Sequence, residues 1–265
     1  MILEEFDFEK EAVINPKDVL GKQGKMMLNI EIPKIAVACF SYKIFERMVE
    51  VFKGEKICET TNANATWPIY KASYKGVEIA LFMTDMGAAG VAGQIEEVYA
   101  LGIETIIVFG TCGVLDKNIE DCSIIIPNMA VRDEGLSYHY LPASDEIEVN
   151  TEYIELFKSI LDEVKYPYIV GKTWTTDAFY RETREKMAKR VAAGCLCVEM
   201  ECSAMAAVAK FREKGIFQFF HAADCLDGDK WDSRSLINGV KYDEQDVFSH
   251  FAMEMAVRVS SMTER

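Results

Sequence analysis

The chain has 265 residues, half of them hydrophobic, and carries a formal net charge of −14 at pH 7. This length and apolar content are typical of one large α/β domain with a substantial core. The negative charge argues against nucleic acid and anionic membranes as partners, because both are bound mainly through clustered Lys and Arg side chains.

No apolar stretch approaches the roughly 20 residues that a membrane-spanning helix needs. The acidic N-terminal sequence also lacks the basic region of a signal peptide, so we expect a cytoplasmic protein. The eight cysteines form no CxxC pair and have few neighbouring histidines, which argues against zinc, and we expect no bound metal. In a reducing compartment these thiols are expected to behave as small buried hydrophobic residues.

The first 31 residues mix acidic, apolar and Gly/Lys positions without sustained periodicity. They predict an N-terminal arm or irregular lead-in, and residues 32–265 are expected to form a single domain. Residues 35–40 predict a strand, and an apolar stripe at helical spacing predicts the helix that follows it. Residues 69–74 and 77–82 predict a hairpin.

A glycine-rich turn and a fully apolar strand come next. Residues 84–90 follow a strand and lead into a helical run, so they allow either a close approach to a ligand or simply a tight connection. Residues 104–109 predict a strand buried on both faces, and residues 110–113, Gly-Thr-Cys-Gly, predict a ligand-facing turn at its end. The next strand is expected to stop at Pro127, and residues 130–142 are expected to form a structured loop.

The second half of the chain continues to alternate between strand and helix patterns. The predicted order is helix 152–164, strand 168–173, a helix through residue 190, strand 196–198, a helix, strand 216–222 and helix 244–260. Such alternation over nearly the whole chain predicts a three-layer α/β/α domain, with a central twisted sheet that is mixed and largely parallel.

Unusual residues are concentrated at the carboxyl ends of four predicted strands, at residues 110–113, 175–179, 199–201 and 224. Open α/β sheets bind ligands at these ends, so the four segments are expected to form one pocket. The third segment, Glu-Met-Glu, places two carboxylates between a strand and a helix. A helix dipole explains one of them well and two less well, and a buried unpaired carboxylate is costly, so we favour a ligand-binding role.

The sequence Val-Glu-Met-Glu at residues 198–201, followed by small residues, resembles the ribose-binding segment of the nucleoside phosphorylase superfamily. Residues 110–113 look like the phosphate-contacting Gly-Thr/Ser-x-Gly turn of that family. Residues 131–140 are similar to its loop beside the base and ribose, and residues 176–180 resemble the segment whose aromatic ring stacks on the nucleobase. The resemblance extends from about residue 35 to the C-terminal helix.

This resemblance implies roles for individual residues. Met200 would pack against the ribose, Glu201 would accept hydrogen bonds from the ribose hydroxyl groups, and Met86 would line the sugar. Phe179 would contact the base, while Asp224 corresponds to the aspartate that purine-specific members use as general acid. Glu201 and Asp224 are therefore the expected catalytic residues.

Phosphate is the expected co-substrate. By the same resemblance it would be bound by Gly110, Thr111 and Cys112, with the Thr111 hydroxyl in contact with it. A cation from elsewhere in the chain is also needed, and we expect Arg132 to supply it rather than Lys43, which begins a helix and is more easily explained as a solvated surface charge.

Three positions depart from the family pattern. Residues 39–44 stand where its phosphorylases carry Gly-Asp-Pro-x-Arg, and Val108 stands where a second phosphate-binding arginine is usual. Residues 183–185, Thr-Arg-Glu, replace the Gln-x-Arg pair of uridine-specific members, so a preference for uracil is not supported.

We therefore expect a nucleoside phosphorylase that splits the N-glycosidic bond of a purine nucleoside with phosphate, giving free base and ribose 1-phosphate. No other cofactor is expected, and the assembly usual in the family predicts a homodimer or homohexamer. Two alternatives stay open, a nucleosidase that uses water and a nucleoside-binding protein without catalysis. The missing arginines give weight to both.

Overall fold

The structure of the protein is a computed structural model, which describes residues 7, 10–22, 31–238 and 242–263. Short 3₁₀ turns cover Ser137–His139 and Phe179–Arg181. In chain order the helices and strands are α1 (Pro16–Lys22), β1 (Ile35–Cys39), α2 (Tyr42–Val51), β2 (Glu55–Thr61), β3 (Thr66–Tyr74), β4 (Val77–Met83), α3 (Ala88–Ala100), β5 (Thr105–Val114), β6 (Ile124–Asp133), β7 (Glu146–Glu148), α4 (Ile154–Val164), β8 (Tyr168–Thr176), α5 (Arg184–Ala192), β9 (Cys195–Glu199), α6 (Cys202–Phe211), β10 (Gly215–Cys225), α7 (Arg234–Asn238) and α8 (Tyr242–Thr263).

The strands of the described residues form one sheet in the order β10-β6-β8-β9-β5-β1-β4-β3-β2, with β7 beside β6. Because β10 also pairs with β5, the five strands β5, β9, β8, β6 and β10 close on one another. The longest ladders, β5–β10 and β6–β8, are parallel, whereas β5–β9 and β6–β10 are antiparallel. The predicted mixed sheet is confirmed, and its closure into a ring is an additional feature.

Helices cover both faces of the sheet, which confirms the predicted three-layer arrangement. On β1, Ile35, Val37 and Cys39 pack into a core with α2, α4 and α8. The alternate residues Ala36 and Ala38 pack into a second core with α3 and α6. A strand buried on both faces reads as a continuous apolar run, which is why β1 was predictable from sequence.

Two predicted strand ends are wrong. The Gly-Thr-Cys-Gly segment is not a turn, because β5 continues through it to Val114, and within the strand Thr111 alone is exposed. Pro127 does not stop β6, which runs on to Asp133 across a register shift between Pro127 and Met129 in its pairing with β8. Such an irregularity accommodates a residue that has no N–H to donate. The predicted loop at residues 130–142 therefore begins as a strand.

Other differences lie near the chain ends and at one sheet edge. Strand β2 and the short helix α7 were not predicted. About half of the predicted lead-in falls outside the described residues, and its described part contains α1, in which Leu20 is fully buried. The closing helix was predicted with slightly narrower bounds than those of α8.

The eight cysteines are all free and buried, as predicted for small hydrophobic residues. Within the described ranges no group of three or more His, Cys, Asp or Glu side chains is arranged to hold a metal ion. None of the helices in the same ranges combines the length and the apolarity that crossing a membrane requires.

Asn150 joins two strands of the sheet, β6 and β10. It is 5% exposed and has a left-handed backbone with φ of 59°. Its Nδ2 donates to the carbonyl oxygens of Pro127 at 2.8 Å and Gln218 at 2.6 Å, and its Oδ1 accepts from the Gln218 N–H at 2.8 Å. One side chain thus fixes β10 next to the irregular part of β6.

Replacing Asn150 with glycine keeps the backbone conformation but removes all three hydrogen bonds. Because the abandoned groups are buried, we expect a loss of about 2–3 kcal/mol in the free energy of unfolding, measured by urea denaturation. Lys165→Gly is the matched control, since Lys165 also has a left-handed backbone, with φ of 56° at the end of α4. It should change stability by less than about 1 kcal/mol. Equal losses in both variants would contradict this role of Asn150.

Candidate active site

A cavity of about 680 Å³ lies at the carboxyl ends of β1, β5, β8, β9 and β10. The convergence predicted from the strand ends is therefore observed. Gly110 and Arg132 do not line this cavity. The predicted site residues that do line it are Met86, Thr111, Cys112, Phe179, Met200, Glu201 and Asp224.

Glu199 ends β9 and is only 6% exposed. Its Oε1 accepts hydrogen bonds from the hydroxyls of Thr175 at 2.6 Å and Thr173 at 3.2 Å, both on β8. Its Oε2 accepts from the N–H groups of Glu201 at 2.7 Å and Cys202 at 2.6 Å. The carboxylate thus caps the N-terminus of α6 and ties the helix to two strands.

Glu201 lies two residues further on, at the N-cap position directly before α6, and is 8% exposed. Its Oε1 accepts a hydrogen bond of 2.6 Å from the N–H of Gly87, which precedes α3 and has φ of 81°. A positive φ is easily adopted only by glycine, so the glycine-rich turn presents this N–H to the carboxyl. Of the two readings of residues 84–90, the contact favours a role in the candidate site over a simple tight connection.

The two carboxyls differ in how readily they ionise. Burial raises the pKa of Glu199 to about 7, although its hydrogen bonds oppose the rise. Burial, and then the charge of Glu199, raise the pKa of Glu201 to about 8. Glu199 has more donors, so it loses its proton first, and Glu201 keeps its proton near neutral pH.

A buried network behind the cavity was missed from sequence. Glu134 is 5% exposed; its Oε1 accepts from the Ser203 hydroxyl at 2.9 Å and its Oε2 from the Ser137 N–H at 2.9 Å. The Ser203 N–H donates in turn to the Thr175 hydroxyl at 3.0 Å. This network connects the loop after β6 to α6 and to the hydroxyl that binds Glu199. The available signal was the acidic residue in a polar loop that follows a buried strand.

The glycines of β5 serve close packing. A Cβ on Gly113 would lie 2.6 Å from the side chain of Leu226 and 3.1 Å from Oδ1 of Asp224. A Cβ on Gly110 would lie 2.7 Å from the ring of Phe40, which lines the cavity. Gly110 therefore makes room for an aromatic wall of the cavity. The exposed Thr111 between the glycines faces the cavity.

Asp224 lies near the end of β10, just after a register shift in its pairing with β5, and is 3% exposed. The indole Nε1 of Trp231 donates to its Oδ2 at 2.7 Å. Burial raises the pKa of Asp224. Glu182, which was not predicted, lines the same cavity, and burial followed by the charge of Asp224 raises its pKa to about 7. This end of the cavity can hold a proton near neutral pH.

Arg132 is not positioned as a phosphate ligand, contrary to the prediction. It is 4% exposed, and its guanidinium donates to the Ser137 hydroxyl at 2.8 Å, the Pro142 carbonyl at 2.7 Å and the Ser144 hydroxyl at 2.8 Å. The same group lies 4.2 Å from the centre of the Tyr138 ring. Its hydrogen-bonding capacity is used to hold its own loop together.

The cavity is strongly acidic. Among its described lining residues, Arg181 is the one cationic side chain, so little positive charge faces a phosphate dianion. The carboxyl groups in the lining belong to Asp177, Glu182, Glu199, Glu201 and Asp224.

Buried carboxyl groups around a cavity at the strand ends of a mixed sheet define a candidate ligand-binding site in an α/β protein. A family model described as "Phosphorylase superfamily" matches residues 34–254, and the chain belongs to this superfamily. The resemblance found in the sequence is thereby confirmed.

Two curated relatives show the range of similarity. A guanosine phosphorylase of Halorubrum lacusprofundi is 30% identical over 162 residues, which cover 60% of this chain and 65% of the relative. A uridine phosphorylase of Thermococcus kodakarensis is 36% identical over 115 residues, which cover 42% and 40%. The matched region thus spans less than two thirds of either relative.

The fold is also found among solved structures. A uridine phosphorylase from Vibrio fischeri superposes with a TM-score of 0.73 at 20% identity, covering 86% of this chain and 93% of that one. At this identity the likeness establishes the shared fold.

The raised pKa values of Glu199 and Glu201 predict how stability depends on pH. Both folded-state values lie above the ordinary value of 4.5, so the folded protein binds more protons than the unfolded chain between about pH 4.5 and pH 8. Their stabilising contribution is complete below about pH 4.5 and is lost as the pH rises through 7 to 8. Between about pH 5 and pH 8.5, the free energy of unfolding of the wild type should therefore fall by at least about 1 kcal/mol more than that of Glu201→Gln.

Urea unfolding at both pH values measures this difference. Glu155→Gln is the control, because the side chain of Glu155 is 84% exposed, and this variant should follow the wild-type pH dependence. Parallel curves for wild type and Glu201→Gln would show that Glu201 is ionised alike in folded and unfolded protein.

Proposed function

We propose that this protein cleaves the N-glycosidic bond of a purine nucleoside with phosphate, giving free base and ribose 1-phosphate. One observation carries the proposal: two buried carboxyl groups, those of Glu201 and Asp224, line a single cavity together with Met200 and Phe179. A carboxyl for the sugar and a proton donor for the base are what this reaction requires.

The ribose is assigned to the end of the cavity at Glu201. Cleavage gives the sugar ring positive charge, which a carboxylate stabilises most strongly where water is excluded. The Gly87 N–H fixes the orientation of the Glu201 carboxyl, and Glu199 fixes the helix turn that carries it. Ribose hydroxyls that donate to Glu201 favour its ionised form, so binding releases its proton.

The base is assigned to the end at Asp224. Because Trp231 binds Oδ2, Oδ1 is left to donate a proton to N7 of the purine. As the bond between C1′ and N9 breaks, its electron pair stays on the base, which the proton neutralises, and a phosphate oxygen forms the new bond to C1′. Burial keeps Asp224 protonated to a higher pH than an exposed aspartate, which suits a general acid.

Phosphate as acceptor is supported by the activities named for the two curated relatives and by the exposed hydroxyl of Thr111. Arg181 is the cation placed to assist among the described lining residues. The acidity of the same lining favours water as a second candidate acceptor, since it repels a dianion and leaves a neutral nucleophile unaffected. Hydrolysis would give free ribose.

The assembly and location belong to this proposal as well. A homodimer or homohexamer and a cytoplasmic location stay predictions made from the sequence.

Incubation with adenosine, guanosine, inosine and uridine, with and without phosphate, tests the acceptor. We expect free base and ribose 1-phosphate in equal amounts from the purine nucleosides, at a rate that increases with phosphate. Equal rates without phosphate, with ribose as the sugar product, would identify a nucleosidase. Nucleoside binding without any base release would identify a binding protein.

Asp224→Asn tests the general acid. We expect turnover of inosine to fall by about 10²–10⁴-fold, because the amide cannot give up a proton. 7-Methylguanosine is the matched substrate, since its base is already cationic and leaves without protonation, and its turnover should change by less than about tenfold. Equal losses on both substrates would instead indicate a structural role for Asp224.

A further inference from the structure

A second cavity of about 570 Å³ adjoins the first, and we name it the side pocket. The two cavities have Phe179, Tyr180, Glu182 and Leu236 in common. Residues 199–201 line the main cavity but not the side pocket, whereas Phe179, the predicted base contact, lines both. The side pocket therefore opens from the end that the proposed function assigns to the base.

The walls of the side pocket are mainly apolar. Met187, Leu226, Trp231 and Ile237 line it without lining the main cavity. Trp231 is 48% exposed and Ile237 is 65% exposed, so both leave apolar surface uncovered beside the site. One N–H donor of Arg184 is satisfied, because its guanidinium donates to the Leu226 carbonyl at 2.8 Å. An apolar group entering here would meet mainly apolar and aromatic side chains.

Trp231 connects the side pocket to the base end of the main cavity. Its indole N–H binds Asp224, while the same side chain forms a wall of the side pocket. In a purine, N7 and the substituent on C6 lie on one edge of the ring. A purine whose N7 faces Asp224 thus carries its C6 substituent toward the side-pocket end, where the carboxyl of Glu182 can accept a hydrogen bond from an exocyclic N–H.

We propose that the side pocket accepts an apolar substituent, about the size of a benzyl group, on the exocyclic amino group of an adenine nucleoside. This inference rests on the proposed function and names its substrate class as N6-substituted adenine nucleosides. The amino link matters because a carbon link would leave Glu182 without a donor where the substituent excludes water. The substituent gains affinity by covering the exposed faces of Trp231 and Ile237.

Steady-state kinetics with N6-benzyladenosine and adenosine test the proposal. For the wild type we expect a KM at least about tenfold lower for the benzyl compound, since even one methylene in an apolar pocket is worth about that factor. Ile237→Ser should remove most of this advantage. It should leave the KM for adenosine unchanged, because Ile237 lines the side pocket and not the main cavity. Val164→Ser is the matched control, as Val164 is 59% exposed on α4 and should change neither KM.

Calorimetry with the free bases N6-benzyladenine and adenine gives a second measurement that does not depend on turnover. Tighter binding of the benzyl base, reduced by Ile237→Ser, supports the side pocket. Equal KM values and equal affinities for the substituted and unsubstituted compounds in the wild type would overturn the inference while leaving the proposed function standing. Absence of base release from every nucleoside would instead overturn the proposed function, and the calorimetric comparison would still decide the side pocket.

Discussion

The carboxylate of Glu199 is the contact on which the rest of the site depends. It accepts hydrogen bonds from two hydroxyl groups on β8 and from two N–H groups at the N-terminus of α6. These four donors offset the cost of burying a carboxylate, which is why the group is tolerated inside the protein. The positions of Met200 and Glu201 follow from this junction, because both lie in the turn that Glu199 caps.

The same burial shapes the chemistry available to the cavity. Low solvent exposure raises the pKa of Glu201 at one end and of Glu182 and Asp224 at the other. A site that holds protons at both ends suits a reaction in which positive charge develops on a sugar and a proton moves to a leaving base. Once ionised, the five carboxyl groups of the described lining, with Arg181 as its one cationic side chain, suit a dianionic co-substrate less well. The electrostatics therefore favour water as acceptor, whereas the activities named for the curated relatives favour phosphate.

The Gly-Thr-Cys-Gly segment of β5 was correctly predicted to lie at the candidate site, but its predicted conformation was wrong. The Gly-Thr-Cys-Gly segment was singled out as a turn, yet it continues the strand, and its glycines admit the ring of Phe40 and the carboxyl of Asp224. The segment still lines the site, because Thr111 and Gly113 face the cavity. Its composition indicated a close approach, while the partners in that approach came from distant parts of the chain, Phe40 after β1 and Asp224 on β10.

The sequence by itself determined the alternation of strands and helices, the double burial of β1 and the placement of Glu201 and Asp224 at strand ends. These follow from local periodicity and from the rule that sheets bind ligands at their carboxyl edge. Only the tertiary structure decided that β5 and β10 pair to close a ring, that Arg132 is held within its own loop, and that Glu182 reaches the cavity. A periodic pattern reports which face of an element is buried, but the partner of each donor or carboxyl is set by segments distant in sequence.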